Sequence, residues 1–236
     1  MKITKFKMVY QVTFLPLLFP VNSYVIEEKD FLTVVDIGFK YFVKEILKLS
    51  QQLDKPVKYL VLTHAHSDHI MGLAEFKKAF PTTKVLMSSR EYRFIKEGFT
   101  FDAQETGYIF KKGFPKINLD LIDSTLNEDD SVGSFTIINT PGHTVGSISL
   151  WNAVDRIAIV GDSFQTRGRI AVSGEMVVSF PFLAFATANK TEAIKSAHKI
   201  LKLSPEYLAV GHGDYLQNPI EEIKKAIIRS EDARKN

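Results

Sequence analysis

The sequence of 236 residues contains no cysteine. This absence excludes disulfide bonds and thiolate metal ligands, so a bound transition metal would have to be held by histidine and carboxylate side chains. It is also compatible with a reducing compartment.

The chain also lacks an apolar run long enough for a membrane-spanning helix. An apolar stretch at residues 9–20 follows three lysines, but Gln11, Thr13 and two prolines interrupt it, and no small-residue cleavage site comes after it. Such a stretch is not typical of a signal peptide. We therefore expect a cytoplasmic protein that does not associate with membranes.

The chain has only a small excess of positive charge, with a formal net charge of +3. Basic residues are spread along the chain, apart from a group at Lys224, Lys225 and Arg229, so no surface that follows nucleic-acid phosphates is indicated. Linkers rich in Pro, Gly or Ser, low-complexity tracts and tandem repeats are missing as well. We expect a single domain over residues 1–236.

The most informative stretch is HAHSDH, at residues 64–69, directly behind the apolar run at residues 57–62. Residues two apart point the same way in extended backbone, so His64, His66 and Asp68 can converge as the chain leaves a strand, and His69 can join them from the turn. Three imidazoles and one carboxylate form a ligand set for a metal of the zinc type.

Three more strand-like runs end in a loop that carries a candidate ligand. His143 follows residues 135–138, Asp162 follows residues 156–160, and His212 follows residues 207–210. Of the six histidines, only His198 lies outside such a loop, and we expect it to be structural or exposed. Layered α/β proteins place their sites at strand ends of this kind.

Together the motifs HAHSDH, PGHT, GD and GHGD resemble those of the metallo-β-lactamase-fold hydrolases, over most of the chain. The resemblance implies an α+β fold of the αββα sandwich type, with two mixed β-sheets face to face and helices on the outer faces. It also implies two divalent ions and a hydroxide between them as the nucleophile. One ion would take His64, His66 and His143, the other Asp68, His69 and His212, with Asp162 bridging. Zinc is favoured by ligand type, and iron or manganese would suit the same residues.

Further catalytic candidates are less specific. Asp68 is placed to pass a proton to the leaving group. Tyr215, three residues after His212, and Tyr108 are candidates for stabilising an oxyanion, although phenol rings more often only contribute to packing. Two arginines, Arg167 and Arg169, are candidates for binding an acidic substrate group.

The function that we expect is hydrolysis of a small ester, lactone or thioester with an apolar or acyl portion. The absence of cysteine argues against β-lactamases with a cysteine ligand. Only 24 residues follow His212, where glyoxalase II carries a helical extension that binds glutathione, which argues against that enzyme's thioester specificity. Acyl-homoserine lactonases are similar in length and ligand set. The alternatives are a phosphodiesterase, because the same metal pair serves phosphoryl chemistry, and a non-hydrolytic metal-binding or redox protein. The sequence leaves the oligomeric state open.

Hydrophobic periodicity predicts helices at residues 40–53, 71–80 and 190–203 and a last helix from about Pro219. Ser88 to Glu91 has capping-box spacing and predicts a helix through about Lys96. Strands are predicted at residues 3–14, 21–27, 31–36, 57–62, 83–87, 119–122, 135–139, 148–151, 156–160 and 207–210. The irregular segment at residues 98–116 is rich in aromatic residues and is expected to be either a flap or substrate wall or a satellite core. Residues 164–188 form a second long excursion, and the phenylalanines of both segments are candidates to receive an acyl chain.

Overall fold

The computed structural model describes residues 1–235, and seven strands from the first half of the chain form its first sheet. They lie in sequence order, antiparallel from the first to the fourth and parallel from the fourth to the seventh. The strands are β1 (Lys2–Phe6), β2 (Val9–Phe14), β3 (Val21–Glu27), β4 (Leu32–Val35), β5 (Val57–Leu62), β6 (Lys84–Ser88) and β7 (Ser124–Leu126).

Six strands from the second half form the other sheet, in the order β15-β14-β11-β10-β9-β8. All neighbours in it are antiparallel except β11 and β14, so this sheet is mixed as well. Its strands are β8 (Ser131–Val132), β9 (Phe135–Asn139), β10 (Ile148–Asn152), β11 (Ile157–Ile159), β14 (Tyr207–Ala209) and β15 (Leu216–Gln217), and a separate hairpin joins β12 (Phe164–Gln165) to β13 (Ala171–Val172).

Seven helices complete the described part of the chain, and five of them cover the outer faces of the two sheets. The seven are α1 (Lys40–Leu53), α2 (Ser67–Ile70), α3 (Leu73–Ala79), α4 (Ser89–Lys96), α5 (Phe182–Ala186), α6 (Lys190–Leu203) and α7 (Ile220–Lys235), with 3₁₀ turns at Leu119–Leu121 and Gly161–Ser163. The αββα sandwich that the resemblance implied is therefore confirmed. Within residues 1–235, no helix combines the length and the apolar character needed to cross a bilayer.

Three apolar clusters hold these layers together. The first lies between the outer face of the first sheet and α1, α3 and α4, and includes the fully buried Phe42 and Phe76. The second lies between the two sheets, around Phe135, and the third lies between the second sheet and helices α6 and α7. Strands such as β5 and β11 pack against an apolar cluster on each face, and the loops that follow them lie at one edge of the sandwich.

Two predicted strands are wrong. The strand expected at residues 3–14 is a hairpin, because the chain turns at Lys7, whose φ is +49°, and pairs Phe6 with Val9. This turn lacks the Asn or Gly that usually marks a two-residue hairpin loop. The strand expected at residues 119–122 is the 3₁₀ turn, because the Asn118 side chain accepts a hydrogen bond from the Asp120 N–H and caps it.

A buried tyrosine links the two sheets. Tyr24 on β3 is 2% exposed, and its hydroxyl donates to the Val210 carbonyl at the end of β14, at 2.6 Å. Asn22 donates to the same carbonyl at 2.8 Å. These hydrogen bonds hold the beginning of the loop that carries His212 against the first sheet.

The substitution Tyr24→Phe removes only the hydroxyl. We expect the free energy of unfolding to fall by about 1 kcal/mol, because Val210 keeps the hydrogen bond from Asn22. Urea unfolding of Tyr24→Phe and of the control Tyr41→Phe, whose tyrosine is 56% exposed, measures the difference. Equal stability of the two variants would contradict this account.

Candidate metal centre

The loops after β5, β9, β11 and β14 meet at one edge of the sandwich. They bring together all the residues that the four motifs supply, and nearly all of these are buried. Three overlapping groups have potential ligand atoms within 4.8 Å of one another: His64, His66 and His143; His64, His69 and Asp162; and Asp68, His69 and His212.

The first group has its nitrogens aimed at a common point. His66 Nδ1 lies 2.9 Å from His143 Nε2, and His143 Nε2 lies 3.3 Å from Asp162 Oδ2. His64 Nε2 lies 3.9 Å from the same carboxylate oxygen. These distances place His64 and His143 beside one carboxylate oxygen of Asp162, with His66 next to His143.

A second ligand group, formed by Asp68, His69 and His212, also contacts Asp162. His69 Nε2 is 3.2 Å from Asp162 Oδ1, and His212 Nε2 is 3.2 Å from Asp162 Oδ2 and 3.3 Å from Asp68 Oδ2. Asp162 therefore lies between the two groups, where a bridging carboxylate would be.

The donors in this cluster fit divalent metal ions. Some of their buried polar atoms have no hydrogen-bond partner among the described residues: His64 Nε2, His69 Nε2 and Asp162 Oδ1. Buried polar atoms rarely stay unpartnered in proteins. Nitrogen and carboxylate oxygen are the donors that zinc and similar ions prefer, and the chain supplies enough of them for two positions.

Burial sets the charge of the first group. It lowers the pKa of His66 to about 3 and that of His143 to about 4, and it lowers the pKa of His64 well below the usual range. These imidazoles are therefore neutral at pH 7, with lone pairs available to a metal.

The second group carries protons instead. Burial lowers the pKa of His69 and His212, but Asp162 and Asp36 outweigh it at His69, and Asp162 and Asp68 outweigh it at His212. The pKa of His69 lies well above its ordinary value and that of His212 is raised to about 10. A metal ion bound at the second group would take the place of these protons.

Asp36 fixes the orientation of imidazoles in both groups. Its Oδ2 accepts from His69 Nδ1 and from the Thr63 hydroxyl, each at 2.7 Å, and its Oδ1 accepts from the Thr63 N–H at 2.7 Å. The Thr63 hydroxyl also lies 3.1 Å from His64 Nδ1. Asp36 was expected only as the last residue of the strand at residues 31–36, although an acidic residue followed by Ile37 and Gly38 at a strand end was a signal for a site residue.

Glu91 joins two of the ligand loops. Its buried carboxylate accepts from the Ala65 N–H at 2.9 Å, from the Thr144 hydroxyl at 2.9 Å and from the Gly146 N–H at 3.0 Å. Ser88 caps α4 as predicted, by accepting from the Glu91 N–H. The Glu91 side chain, however, holds the first and second motifs together.

Two glycines allow the ligand loops to approach closely. Gly142 has φ +136°, and a Cβ there would lie 2.3 Å from the Ala193 nitrogen. At Gly211, a Cβ would lie 2.0 Å from Asp162 Oδ1. Both positions require glycine because any side chain would push a ligand loop away from the centre.

A cavity of about 530 Å³ opens above the centre. Asp68 and Asp162 lie at its floor with three of the imidazoles, and its walls are mainly apolar. The lining residues are Phe19, Phe39, His66, Ser67, Asp68, Lys112, Gly113, His143, Asp162, Phe182, Leu183, Phe185, Ala186 and His212.

Both irregular segments contribute to this cavity. Residues 98–116 supply Lys112 and Gly113, and residues 164–188 supply α5. Aromatic rings of the first segment also contact one another. The ring centroid of Phe99 lies 5.1 Å from that of Phe110 and 5.1 Å from that of Phe114. Each segment is thus partly a cavity wall, and the first is also a satellite core.

The structure does not bring Tyr215 to the cavity, which corrects that expectation. Its ring packs on the apolar cluster between the sheets, with its centroid 4.2 Å from that of Phe6 and 6.3 Å from that of Tyr207. Tyr108 does not line the cavity either, and its ring lies 5.5 Å from Phe101.

The other polar candidates have partners away from the cavity. Arg167 donates to the Leu17 carbonyl, and Arg169 pairs with Glu175 at 2.9 Å. His198 forms an exposed pair with Glu231 at 2.8 Å, as expected for a histidine outside the centre.

Comparison with known proteins agrees with this geometry. The model of the Metallo-beta-lactamase superfamily matches residues 17–212. The chain belongs to this superfamily. YobT of Bacillus subtilis strain 168 is 41% identical to it over 227 residues, which cover 96% of this chain and 97% of YobT. The hydroxyacylglutathione hydrolase GloC of Haemophilus influenzae is 26% identical over 189 residues, which cover 77% of this chain and 80% of GloC.

Solved structures share the fold. The DIM-1 metallo-beta-lactamase superimposes with a TM-score of 0.72 at 16% identity, covering 98% of this chain and 97% of that protein. TTHA1623, solved in a di-iron-bound form, superimposes with a TM-score of 0.62 at 24% identity, covering 89% of this chain and 96% of that protein.

The hydrogen bond from His69 to Asp36 gives a test of the centre. We expect Asp36→Asn to lower the affinity for the ion at Asp68, His69 and His212 by about 10- to 100-fold, because a neutral amide orients and polarises the imidazole less well. Competition between the protein and a chromophoric zinc chelator measures the change. Asp120→Asn, at an exposed aspartate, is the control, and native affinity in Asp36→Asn would contradict the assignment.

Proposed function

We propose that this protein is a dinuclear metal-dependent hydrolase that cleaves a small ester, lactone or thioester with an apolar acyl portion. The observation that carries the proposal is the convergence of buried imidazoles and carboxylates at the floor of an apolar-walled cavity. His64, His66 and His143 would hold one ion, and Asp68, His69 and His212 the other. Asp162 would bridge them.

When bound, two divalent ions would supply Lewis acidity and activate water for attack. The chain supplies the remaining functions. Asp162 provides negative charge between the two positions, and its own pKa is held well below the usual range by the facing His212 and His69 despite its burial. Hydrogen bonds to Asp36 and to the Pro20 carbonyl orient His69 and His212.

Asp68 is the group that we assign to proton transfer. It is only half-buried and lines the cavity, so its carboxylate can reach a substrate. Its hydrogen bond with His212 holds its pKa below the usual range even though burial opposes this, so Asp68 is ionised at neutral pH. It can accept a proton on the side of the attacking water and donate it to the leaving group.

The cavity walls favour an acyl group over a phosphodiester. Phe19 and Phe39 line one part of the cavity, and Phe182, Leu183 and Phe185 line another. Lys112 is the one lysine or arginine among the described residues that line it, whereas phosphoryl groups are usually bound by several such side chains. The name of GloC, a hydroxyacylglutathione hydrolase, supports an ester-like bond as the target.

Zinc is the metal that we propose, from the ligand types. Iron is the main alternative, since TTHA1623 was solved with two iron ions. Manganese suits the same donors. A cytoplasmic location stays a prediction from composition.

Metal-loaded protein should hydrolyse at least one compound in a panel of lactones, thioesters and aryl esters. We expect bis-nitrophenyl phosphate to be a poor substrate, and dipicolinate treatment to abolish turnover until zinc is restored, because the donors cannot activate water without ions. Initial rates measure both effects. His66→Ala should be inactive and His198→Ala fully active. No turnover on any compound by native protein would refute the proposal.

The aromatic wall gives a second test, on substrate length. Phe185 is 63% exposed at the cavity, and we expect Phe185→Ala to raise KM for octanoyl esters by about 10-fold while acetyl esters are unaffected, because only the longer chain loses apolar contact. Steady-state kinetics measure KM, and Ile228→Ala, which removes an exposed side chain on α7, is the control. Equal effects on both esters would show that Phe185 does not contact the acyl chain.

A further inference from the structure

A chain of hydroxyl groups lies behind His143. Its Nδ1 is 3.0 Å from the Ser173 hydroxyl and 3.3 Å from that of Thr187, and the two hydroxyls are 2.8 Å apart. The Thr187 hydroxyl also donates to the Leu183 carbonyl at 2.6 Å. His143, Ser173 and Thr187 are all buried, with exposed fractions of 1–3%.

The direction of these hydrogen bonds follows from the number of hydrogens. A carbonyl only accepts, so Thr187 gives its single hydroxyl hydrogen to Leu183 and must accept from Ser173. Ser173 then has no hydrogen left for His143, so His143 Nδ1 must donate to Ser173. The chain therefore runs from His143 through Ser173 and Thr187 to Leu183. It places the His143 lone pair on Nε2, the nitrogen that faces His66 and Asp162.

The far end of the chain is a wall of the cavity. Leu183 belongs to α5, and Phe182, Leu183, Phe185 and Ala186 of this helix line the cavity. The backbone reinforces the connection, because the Ala188 N–H donates to the His143 carbonyl at 3.0 Å. A shift of α5 would therefore reach the imidazole through both the side chains and the backbone.

The other imidazoles are oriented from different places. His69 is bonded to Asp36, directly after β4, and His64 to Thr63, directly after β5. The Pro20 carbonyl, which directly precedes β3, accepts from His212 Nδ1 at 2.7 Å. None of these partners is among the described residues that line the cavity. The direct partners of His143 do not line the cavity either, but their hydrogen bonds continue to Leu183, which does, and in this respect His143 differs from these three imidazoles.

We propose that Ser173 and Thr187 are positioning residues whose hydroxyls couple the substrate-facing helix α5 to the orientation of the His143 imidazole. The inference rests on the proposed metal centre and deepens it. Contacts between an acyl chain and α5 would steady the ligand geometry, so that long-chain substrates gain in kcat as well as in binding. Removing the hydroxyls would loosen the imidazole and remove this gain.

The test compares Thr187→Val, which keeps the shape of the side chain but removes the hydroxyl, with Thr187→Ser, which keeps the hydroxyl. Zinc affinity, measured with a chromophoric chelator, should fall about 10-fold or more in Thr187→Val and stay within about twofold of native in Thr187→Ser. The visible spectrum of cobalt-loaded protein should shift in Thr187→Val alone. Thr100→Val is the control, since the Thr100 hydroxyl also donates to a backbone carbonyl, that of Glu97, but is exposed.

Ser173→Ala provides an independent variant should Thr187→Val fold poorly. Ser173→Ala should lower the zinc affinity by a similar factor. The double variant should bind zinc no less tightly than the single variant with the lower affinity, because both changes interrupt the same chain of hydrogen bonds. In kinetics with acetyl and octanoyl esters, the ratio of kcat values should fall toward one in Thr187→Val.

Native zinc affinity in both Thr187→Val and Ser173→Ala would overturn the inference. So would equal losses in Thr187→Ser and Thr187→Val, because the hydroxyl would then be irrelevant. A loss of zinc affinity as expected, in a protein that hydrolyses none of the esters, would support the positioning role while refuting the proposed function. Native zinc affinity in both variants, in a protein that hydrolyses the esters normally, would refute the positioning role while supporting the proposed function.

Discussion

The charge on the buried carboxylate of Asp162 is the constraint around which the centre is built. Its two oxygens lie 3.2–3.9 Å from ring nitrogens of His64, His69, His143 and His212. A buried carboxylate without compensation is very costly, so positive charge must lie beside it. In the protein alone, protons on His69 and His212 provide that charge, and two divalent ions would provide it in their place. The loops that carry His69 and His212 therefore have to lie against this residue, because they supply the charge that compensates it.

The same loops are held from behind by buried polar side chains. Asp36 and Glu91 accept hydrogen bonds from the backbone and side chains of the ligand loops, and Asn22 and Tyr24 donate to the loop of His212. Breaking such a contact leaves a buried group unpaired, which costs more than the net gain from forming it. These contacts consequently fix the positions of the imidazoles more narrowly than apolar packing would. The hydroxyl chain behind His143 differs because its far end is a cavity wall.

Much of the local structure could be predicted because it depends on nearby residues. The helices expected at residues 40–53 and 190–203 have the same bounds as α1 and α6. Both have a regular apolar face, and each ends before a residue with left-handed backbone, Asp54 and Ser204. The strand expected at residues 3–14 was wrong because its turn has no typical turn residue. Glu91 was assigned to a capping box on spacing alone, and its carboxylate instead joins two loops that are distant in sequence.

The sequence by itself determined the chemistry of the donors, since HAHSDH, PGHT, GD and GHGD name the ligand types and place each behind a strand. Only the tertiary structure decided which groups orient those ligands and what surrounds them. Asp36, Ser173 and Thr187 lie far along the chain from the imidazoles they contact, and Tyr215 lies three residues from His212 yet faces the space between the sheets. The reason is physical: a donor atom belongs to its own side chain, whereas its neighbours are set by how the two sheets and α5 pack together.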